Sequence, residues 1–395
     1  MTNSQIKTHQ NNIDHLNEVS FDDIRPLKDG EVKAAIESLL TDEMFKRAVT
    51  PIIAPISWEM FSKQLRSYNT VFDFQENVIY TLITKFIEKN IDKLWLANPE
   101  NVDMSDSHVY ISNHRDIVLD AALFNILLFE KEVQTTEIAI GDNLLIFPWI
   151  TTLVRLNKNF IVKRGVSIRQ VIETSKHLSQ YIHKTVRQDK QSVWIAQREG
   201  RAKDSNDRTQ TSLLKMLALI DSKETLESIK ALNMVPLSIT YEYDPCDYLK
   251  AQEYQLKRDF SDYKKTNEDD LTNMLTGITG YKGRVCFKLG KPLNEKIDSI
   301  SDSTRKGVIL EEIAKLIDEE IFKHYEFFPP NYIAYDLIHN SEKFADKYTP
   351  EEKESFITYL NNQVDKIDIE NKDVPFLKQK ITEMYANTLI NHLSV

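Results

Sequence analysis

The stretch from His108 to Phe129, HVYISNHRDIVLDAALFNILLF, decides how the rest of the chain is read. A short run of β-branched and aromatic residues ends in the polar cluster Asn113-His114-Arg115-Asp116, and an apolar helical pattern follows it. Five further β-rich runs, TEIAI, FIVK, VWIA, MVPLSIT and RVCFKL, come after it, separated by segments long enough for helices. Two more polar clusters, Lys163-Arg164 and Gln197-Arg198-Glu199-Gly200-Arg201, also follow strand-like runs. The alternation predicts an α/β fold with a central mixed sheet flanked by helices. In open α/β sheets the ligand crevice lies beyond the carboxyl ends of the strands, so the three clusters are expected to converge on one site.

Working outward, apolar residues recur at three and four spacings upstream of this centre. Phe74, Val78, Leu82, Phe86 and then Leu94 form one row, with Ile79, Ile83, Ile87 and Ile91 beside it. The spacing predicts an N-terminal helical region over 21–100, with helix continuing to about Trp95. The α/β domain is expected over 101–295. A C-terminal helical region over 296–395 follows, with Leu310, Ile313, Ile317 and Ile321 on one face and a stop at Phe327-Phe328-Pro329-Pro330. The opening MTNSQIKTHQNNIDHLNE has no basic region ahead of an apolar core, so residues 1–20 are expected to be a polar, flexible tail rather than a secretory signal.

Composition narrows the function. The chain has 395 residues, 41% of them hydrophobic and 28% charged, which is ordinary globular usage. A net charge of −10 argues against nucleic acid as a partner, so any anionic ligand must be met by a local cationic patch. Two cysteines, Cys246 and Cys286, give neither a disulfide framework nor a four-cysteine zinc site, and fit a reducing cytoplasmic setting. The longest stretch without a charged residue, Asn143 to Val154, is twelve residues, whereas a spanning helix needs about 20 apolar ones.

His114 is the natural base near neutral pH, provided a carboxylate fixes its tautomer and leaves the other ring nitrogen to take a proton from a hydroxyl. Asp116 and Asp120 are the candidates. Positions two and six beyond His114 do not share its face on a continuous helix, so His114 must lie in the entry turn if either is the partner. Arg164 and Arg201 offer planar forks of donors to phosphate oxygens, with Lys163 adding a further cation. Glu199 can receive a hydroxyl or hold an arginine, and Gly200 allows close backbone approach to a ligand. Taken singly, each of these reads equally well as a solvated strand end or a surface ion pair. Their order along the chain is what carries weight.

That order resembles the glycerolipid acyltransferase family, which includes the lysophosphatidate and glycerol-3-phosphate acyltransferases. Asn113 to Asp120 is similar to the family's first block, a His and an Asp with four residues between them; here five intervene. Asp120 keeps the apolar helix that follows in the family and is favoured as the partner, with Asp116 as the other candidate. Gly141 to Arg164 resembles the second block, Glu199-Gly200-Arg201 the third, with Gln197-Arg198 in place of the usual Phe-Pro, and Val235 to Ile239 the fourth, with Pro236 lining the pocket. Tyr241-Glu242 is similar to the glycerol-3-phosphate branch.

The resemblance spans Asn101 to Leu293. It implies an enzyme of phospholipid biosynthesis, a 1-acylglycerol-3-phosphate O-acyltransferase, in which His114 is the general base and Asp120 or Asp116 its partner. Lys163, Arg164, Glu199, Gly200, Arg201 and Pro236 would bind the substrate. The donor would be acyl-CoA or acyl carrier protein, with no cofactor and no metal, and the acceptor a phosphorylated glycerol lipid. Backbone amides at the helix start after His114 are expected to serve the oxyanion. With no spanning segment, the implied location is cytoplasmic and peripheral on the inner face of the cell membrane. Leu144 to Val154, with Ile146, Phe147, Trp149 and Ile150 flanked by Arg155, Lys158 and Lys163, is the expected contact surface.

Other classes fit less well. His114-Arg115-Asp116-Ile117 imitates a kinase catalytic loop, but Ala121 stands where Asn is needed, and neither a glycine-rich loop nor Asp-Phe-Gly is present. Gly-x-Ser-x-Gly and His-Glu-x-x-His are absent. Glycerol 3-phosphate or another lipid hydroxyl is the alternative acceptor, and a non-catalytic lipid-binding protein of the membrane surface is the alternative of a different class.

Overall fold

The structure, a computed structural model, describes residues 15–165, 167–220, 224–300 and 305–395. Seven strands form one sheet: β1 (Ile91–Ala97), β2 (Val109–Ser112), β3 (Glu137–Gly141), β4 (Asn159–Val162), β5 (Val193–Ala196), β6 (Met234–Tyr241) and β7 (Gly283–Leu289). Their order is β1-β7-β6-β2-β5-β3-β4. The β6–β7 pair is antiparallel and the other pairs are parallel, so β1 and β7 run against the remaining five. Consequently β2, β3, β4, β5 and β6 all end at one edge, and each polar cluster emerges there.

The sheet is mixed and flanked by helices, as the alternation of runs predicts, and its central strands β2 and β6 are buried on both faces. Val109 and Ile111 of β2 join a core with Val193, Ile195 and Met234, closed by helices Ile168–Arg187 and Lys306–Lys323. Tyr110, between them in sequence, points to the opposite core, where Leu123 and Phe124 of helix Leu119–Phe129 pack on Val235, Leu237 and Phe287. The two-residue period of the strand thereby divides one short run between two layers. Leu310, Ile313, Ile317 and Ile321 are all buried in the first core.

One expectation about the N-terminal helical region is corrected. The helix Thr81–Asn90 stops at Asn90, whose side chain donates to the Phe86 carbonyl (3.1 Å), and Ile91–Ala97 is an edge strand paired with β7. Ile91 and Leu94 fit the helical spacing, but pairing with a partner far along the chain takes their backbone into the sheet. Of the expected tail, residues 1–14 lie outside the described residues. Leu16 is buried in a short 3-10 turn, so the described end of that segment is packed rather than frayed.

The N-terminal helices build a third core around Ile36, Phe45, Phe61 and Phe74, into which Leu156 also packs. The last three helices, Pro329–His339, Pro350–Asp365 and Val374–Leu393, form a fourth with Ala251 of helix Asp247–Asp259. Among the described residues no helix is long and apolar enough to cross a membrane.

Candidate active site

After β2 the chain enters a tight turn built around one carboxylate. Asp120 Oδ2 accepts from His114 Nδ1 at 2.8 Å, from the Arg115 amide at 2.6 Å and from the Asp116 amide at 3.0 Å. Its Oδ1 accepts from the Tyr241 hydroxyl at 3.0 Å. The two amides can only donate, the Tyr241 hydroxyl points its donor at the other oxygen, and the side chain is buried, an environment that suits a carboxylate. A carboxylate on Nδ1 puts the imidazole proton there and leaves Nε2 as the acceptor nitrogen. Nε2 has no protein partner among the described residues, and the ring lines a cavity, with the edge of Trp194 from β5 at 5.9 Å.

Asp116 does different work. Its Oδ1 accepts the Val118 and Leu119 amides, both at 2.8 Å, which caps the start of helix Leu119–Phe129. Burial, reinforced by the charge of Asp120, pushes its carboxyl above the usual range. Helix Asn267–Thr279 packs on it through Gly277, where an added Cβ would sit 2.0 Å from Asp116 Oδ2, so only glycine fits there. Of the two aspartates, Asp120 is therefore the one on the imidazole.

The turn is anchored on three sides. The Asn113 side chain exchanges two hydrogen bonds with the Ile239 backbone of β6, each 2.8 Å. Arg115 forms a buried ion pair with Asp207, which ties the turn to the loop after β5. Lys250, buried on helix Asp247–Asp259, pairs with Asp244 and reaches the Arg115 carbonyl at 3.3 Å. Burial opposes the charge of Asp244, but Lys250 beside it brings its carboxyl below the usual range.

The cavity has a volume of about 1420 Å³. Its polar end carries Lys163, Arg164, Arg198, Glu199, Gly200, Arg201 and Lys250 together with His114. Arg164 is paired with Glu199 at 3.1 Å, and Gly141 leaves room for it, since a Cβ there would lie 2.7 Å from Arg164 Nε. Lys163 is turned to Asp23 at 2.5 Å. Arg201 donates through Nη2 to Asn273 at 3.0 Å, while its Nη1 is buried without a hydrogen-bond partner among the described residues. Arg198 makes no ion pair with a carboxylate among the described residues. Gly200 has φ +70°, a conformation that favours glycine.

The other end is apolar. Phe45, Val49 and Ile52 contribute from helix Glu43–Ile53, and Phe74, Val78, Leu82, Ile79 and Ile83 from the helical stretch 71–90. The first members of the row that marks this stretch as helical in the sequence thus face the cavity, whereas Phe86 and Ile87 do not line it.

The structure brings His114, Lys163, Arg164, Glu199, Gly200 and Arg201 to one cavity wall, with Asp120 and Asp116 directly behind it. One expectation is corrected. Pro236 does not line the cavity: it is buried in β6 opposite Ile111, with its carbonyl accepting the Gly290 amide at 2.8 Å where the ladder to β7 ends. The oxyanion donors expected at the helix start are largely engaged, because the amides of Arg115, Asp116, Val118 and Leu119 serve Asp120 and Asp116. Of the stretch Leu144 to Val154, Leu144, Trp149, Ile150, Leu153 and Val154 line the cavity, Trp149 against Phe45 at 5.7 Å, while Ile146 is 40% exposed.

Sequence reasoning missed Tyr241 as a partner of Asp120, Asp207 as a partner of Arg115, Arg198 and Lys250 as parts of the cavity lining, and Gly277 as the close neighbour of Asp116. Arg198 stood in the sequence as the replacement for an expected proline. The others carry no local signal, because each acts on a residue more than ninety positions away.

A histidine oriented by a buried carboxylate thus opens onto a cavity lined by both cationic and apolar side chains, an arrangement able to take a proton from a bound hydroxyl. The family model described as Acyltransferase matches residues 93–220 of the chain. No curated protein matches the chain. Among solved structures it is similar to the 1-acyl-sn-glycerophosphate (LPA) acyltransferase PlsC from Thermotoga maritima, at 14% identity over 75% of this chain and 96% of that one, with a TM-score of 0.34.

Proposed function

We propose that the protein is a glycerolipid acyltransferase that moves a fatty acyl group from acyl-CoA or acyl carrier protein to a hydroxyl of 1-acyl-glycerol 3-phosphate, with glycerol 3-phosphate as the alternative acceptor. The observation that carries this reading is the imidazole of His114, fixed at Nδ1 by Asp120 and unpartnered at Nε2, on the wall of a cavity with a cationic and an apolar end.

In this reading Nε2 takes the proton of the acceptor hydroxyl as its oxygen attacks the thioester carbonyl carbon. The tetrahedral intermediate collapses with loss of the C–S bond, and the departing sulfur takes the proton back from Nε2. The chemistry needs no covalent enzyme intermediate and no cofactor beyond the donor thioester. Of the amides from Arg115 to Leu119, that of Ile117 has no carboxylate partner, and Ile117 lines the cavity, which supports it as an oxyanion donor. Arg201, with Arg198 and Arg164, would hold the acceptor phosphate and convert binding energy into orientation of the hydroxyl. Exposed ion pairs such as Arg164–Glu199 are weak, so a dianionic phosphate competes for that arginine.

The apolar end would take the acyl chain. Peripheral contact with a membrane belongs to the same reading: Ile52 and Val171 line the cavity and are each 44% exposed, and Met60 and Ile172 stand out on the same groups of helices at 66% and 71%. The functional test is thiol release from acyl-CoA and from acyl carrier protein, with lysophosphatidate, glycerol 3-phosphate or no acceptor, and mass spectrometry of the products. Phosphatidate formed only with lysophosphatidate present is the expected result. Thiol release indifferent to every acceptor, or none at all with acyl lipid bound unchanged, would favour the lipid-binding alternative.

A further inference from the structure

We infer that Tyr241 is a positioning residue that holds Asp120, and through it His114, in the arrangement acyl transfer requires; the inference rests on the acyltransferase reading above. Asp120 has two oxygens to satisfy in a site closed to water, with its side chain 1% exposed. Three donors from the turn itself fill Oδ2. Oδ1 faces β6, and among the described residues the Tyr241 hydroxyl is its one donor. Without that hydroxyl the oxygen would be left buried and unsatisfied, and the carboxylate would be held from one oxygen alone.

Tyr241 is well placed for this task. It is the last residue of β6, paired with Val285 of β7, two positions beyond Ile239, which Asn113 clips from the same turn. Strand β6 therefore fixes both the backbone that precedes His114 and the carboxylate behind it. Burial, and next the charge of Asp120, push the phenol well above its ordinary range, which favours its protonated, donating form. Tyr241 lies beyond the 93–220 segment, so this part of the dyad's support comes from the second half of the sheet.

The hydroxyl also draws negative charge toward Oδ1. Removing it concentrates charge on Oδ2 and favours the imidazolium form of His114. The other charged groups around the dyad are Asp116 and Arg115 from the turn, Asp207 on Arg115, Arg201 after β5, and Asp244 and Lys250 after β6. A Tyr241→Phe substitution leaves all of them in place.

The test uses the full chain labelled with 15N-histidine, with the His114 signals assigned by comparison with His114→Gln, and titrated by NMR. In Tyr241→Phe the His114 midpoint should rise by about 0.5 pH unit. The kcat for acyl transfer should fall about tenfold with the acceptor KM unchanged. An unmoved His114 midpoint, or an unchanged kcat, overturns the inference. Should the phenylalanine variant not fold, 3,5-difluorotyrosine at position 241 keeps the shape and strengthens the donor; the midpoint should then fall, and no movement overturns the inference. The NMR readout does not depend on turnover, so it separates a wrong role for Tyr241 from a wrong reaction.

Discussion

His114 Nδ1 and Asp120 Oδ2 lie 2.8 Å apart although five residues stand between them. The turn absorbs the extra residue by folding around the carboxylate, so that the Arg115 and Asp116 amides point at the same oxygen as the imidazole. The pair is thus held by backbone as well as by side chains, which is what keeps an imidazole oriented before substrate arrives.

The two aspartates should separate cleanly by mutation. Asp120→Asn retains shape but loses the charge that favours the imidazolium formed during proton transfer, and kcat should fall about a thousandfold. Asp116→Asn still caps Val118 and Leu119 and does not touch the ring, so its kcat should stay within about tenfold of wild type. Steady-state kinetics of the two folded variants decide this. Equal losses would mean that both carboxylates act on His114.

Phosphate recognition should be read in the acceptor KM. Arg201→Ala removes the guanidinium with an unpartnered buried nitrogen, and the KM for lysophosphatidate should rise about tenfold or more with a smaller change in kcat. Arg198→Ala should act in the same direction, and Arg164→Ala less, because Glu199 already neutralises Arg164. With an acceptor lacking phosphate, such as a monoacylglycerol, all three variants should match wild type. A penalty that persists without phosphate would assign these arginines to structure instead.

The apolar end of the cavity sets a limit on the acyl chain. Val78 is 7% exposed and lines that end with Phe74 and Leu82. Val78→Phe fills part of the space, and competition between acyl donors of different length should shift toward the shorter by several-fold. An unaltered chain-length profile would remove this arm from the donor path.

Stability should fall as pH rises through neutrality. Asp247 is fully buried beneath Tyr359 (2.6 Å), Tyr385 (2.8 Å) and Gln363, and joins helix Asp247–Asp259 to the C-terminal helices. Burial pushes its carboxyl up to about 7 from an ordinary value of 3.8. Between those values the folded chain binds a proton that the unfolded chain has released, so stability present below the lower value is lost as pH approaches the higher one. This one group contributes a slope of at most about 1.4 kcal/mol per pH unit. Asp318, raised by burial to about 6, adds in the same direction at lower pH. Melting temperatures between pH 5 and 7 should decline for wild type and decline less for Asp247→Asn; parallel curves would contradict the assignment.

The sequence discloses six of the seven strands because each is a short run rich in β-branched or other apolar residues, set off by segments of helical length. It hides β1, since Ile91 continues the spacing of Ile79, Ile83 and Ile87, and only the distant partner Gly283–Leu289 makes it a strand. His114, Asp120 and the residues of the cationic end are legible because they stand in fixed order after strands. Their support is not: Asn113 on Ile239, Arg115 on Asp207 and Tyr241 on Asp120 are contacts across the sheet, created by strand order rather than by local spacing. Pro236 misled for a related reason, because a strand-end proline looks alike whether it faces a ligand or a neighbouring strand.

The most direct test of the account is single-turnover acyl transfer by His114→Ala, with fold verified by circular dichroism and melting temperature. A folded variant slowed by about a thousandfold or more is the expected result. A folded variant that transfers the acyl group at the wild-type rate would show that the proton is taken elsewhere.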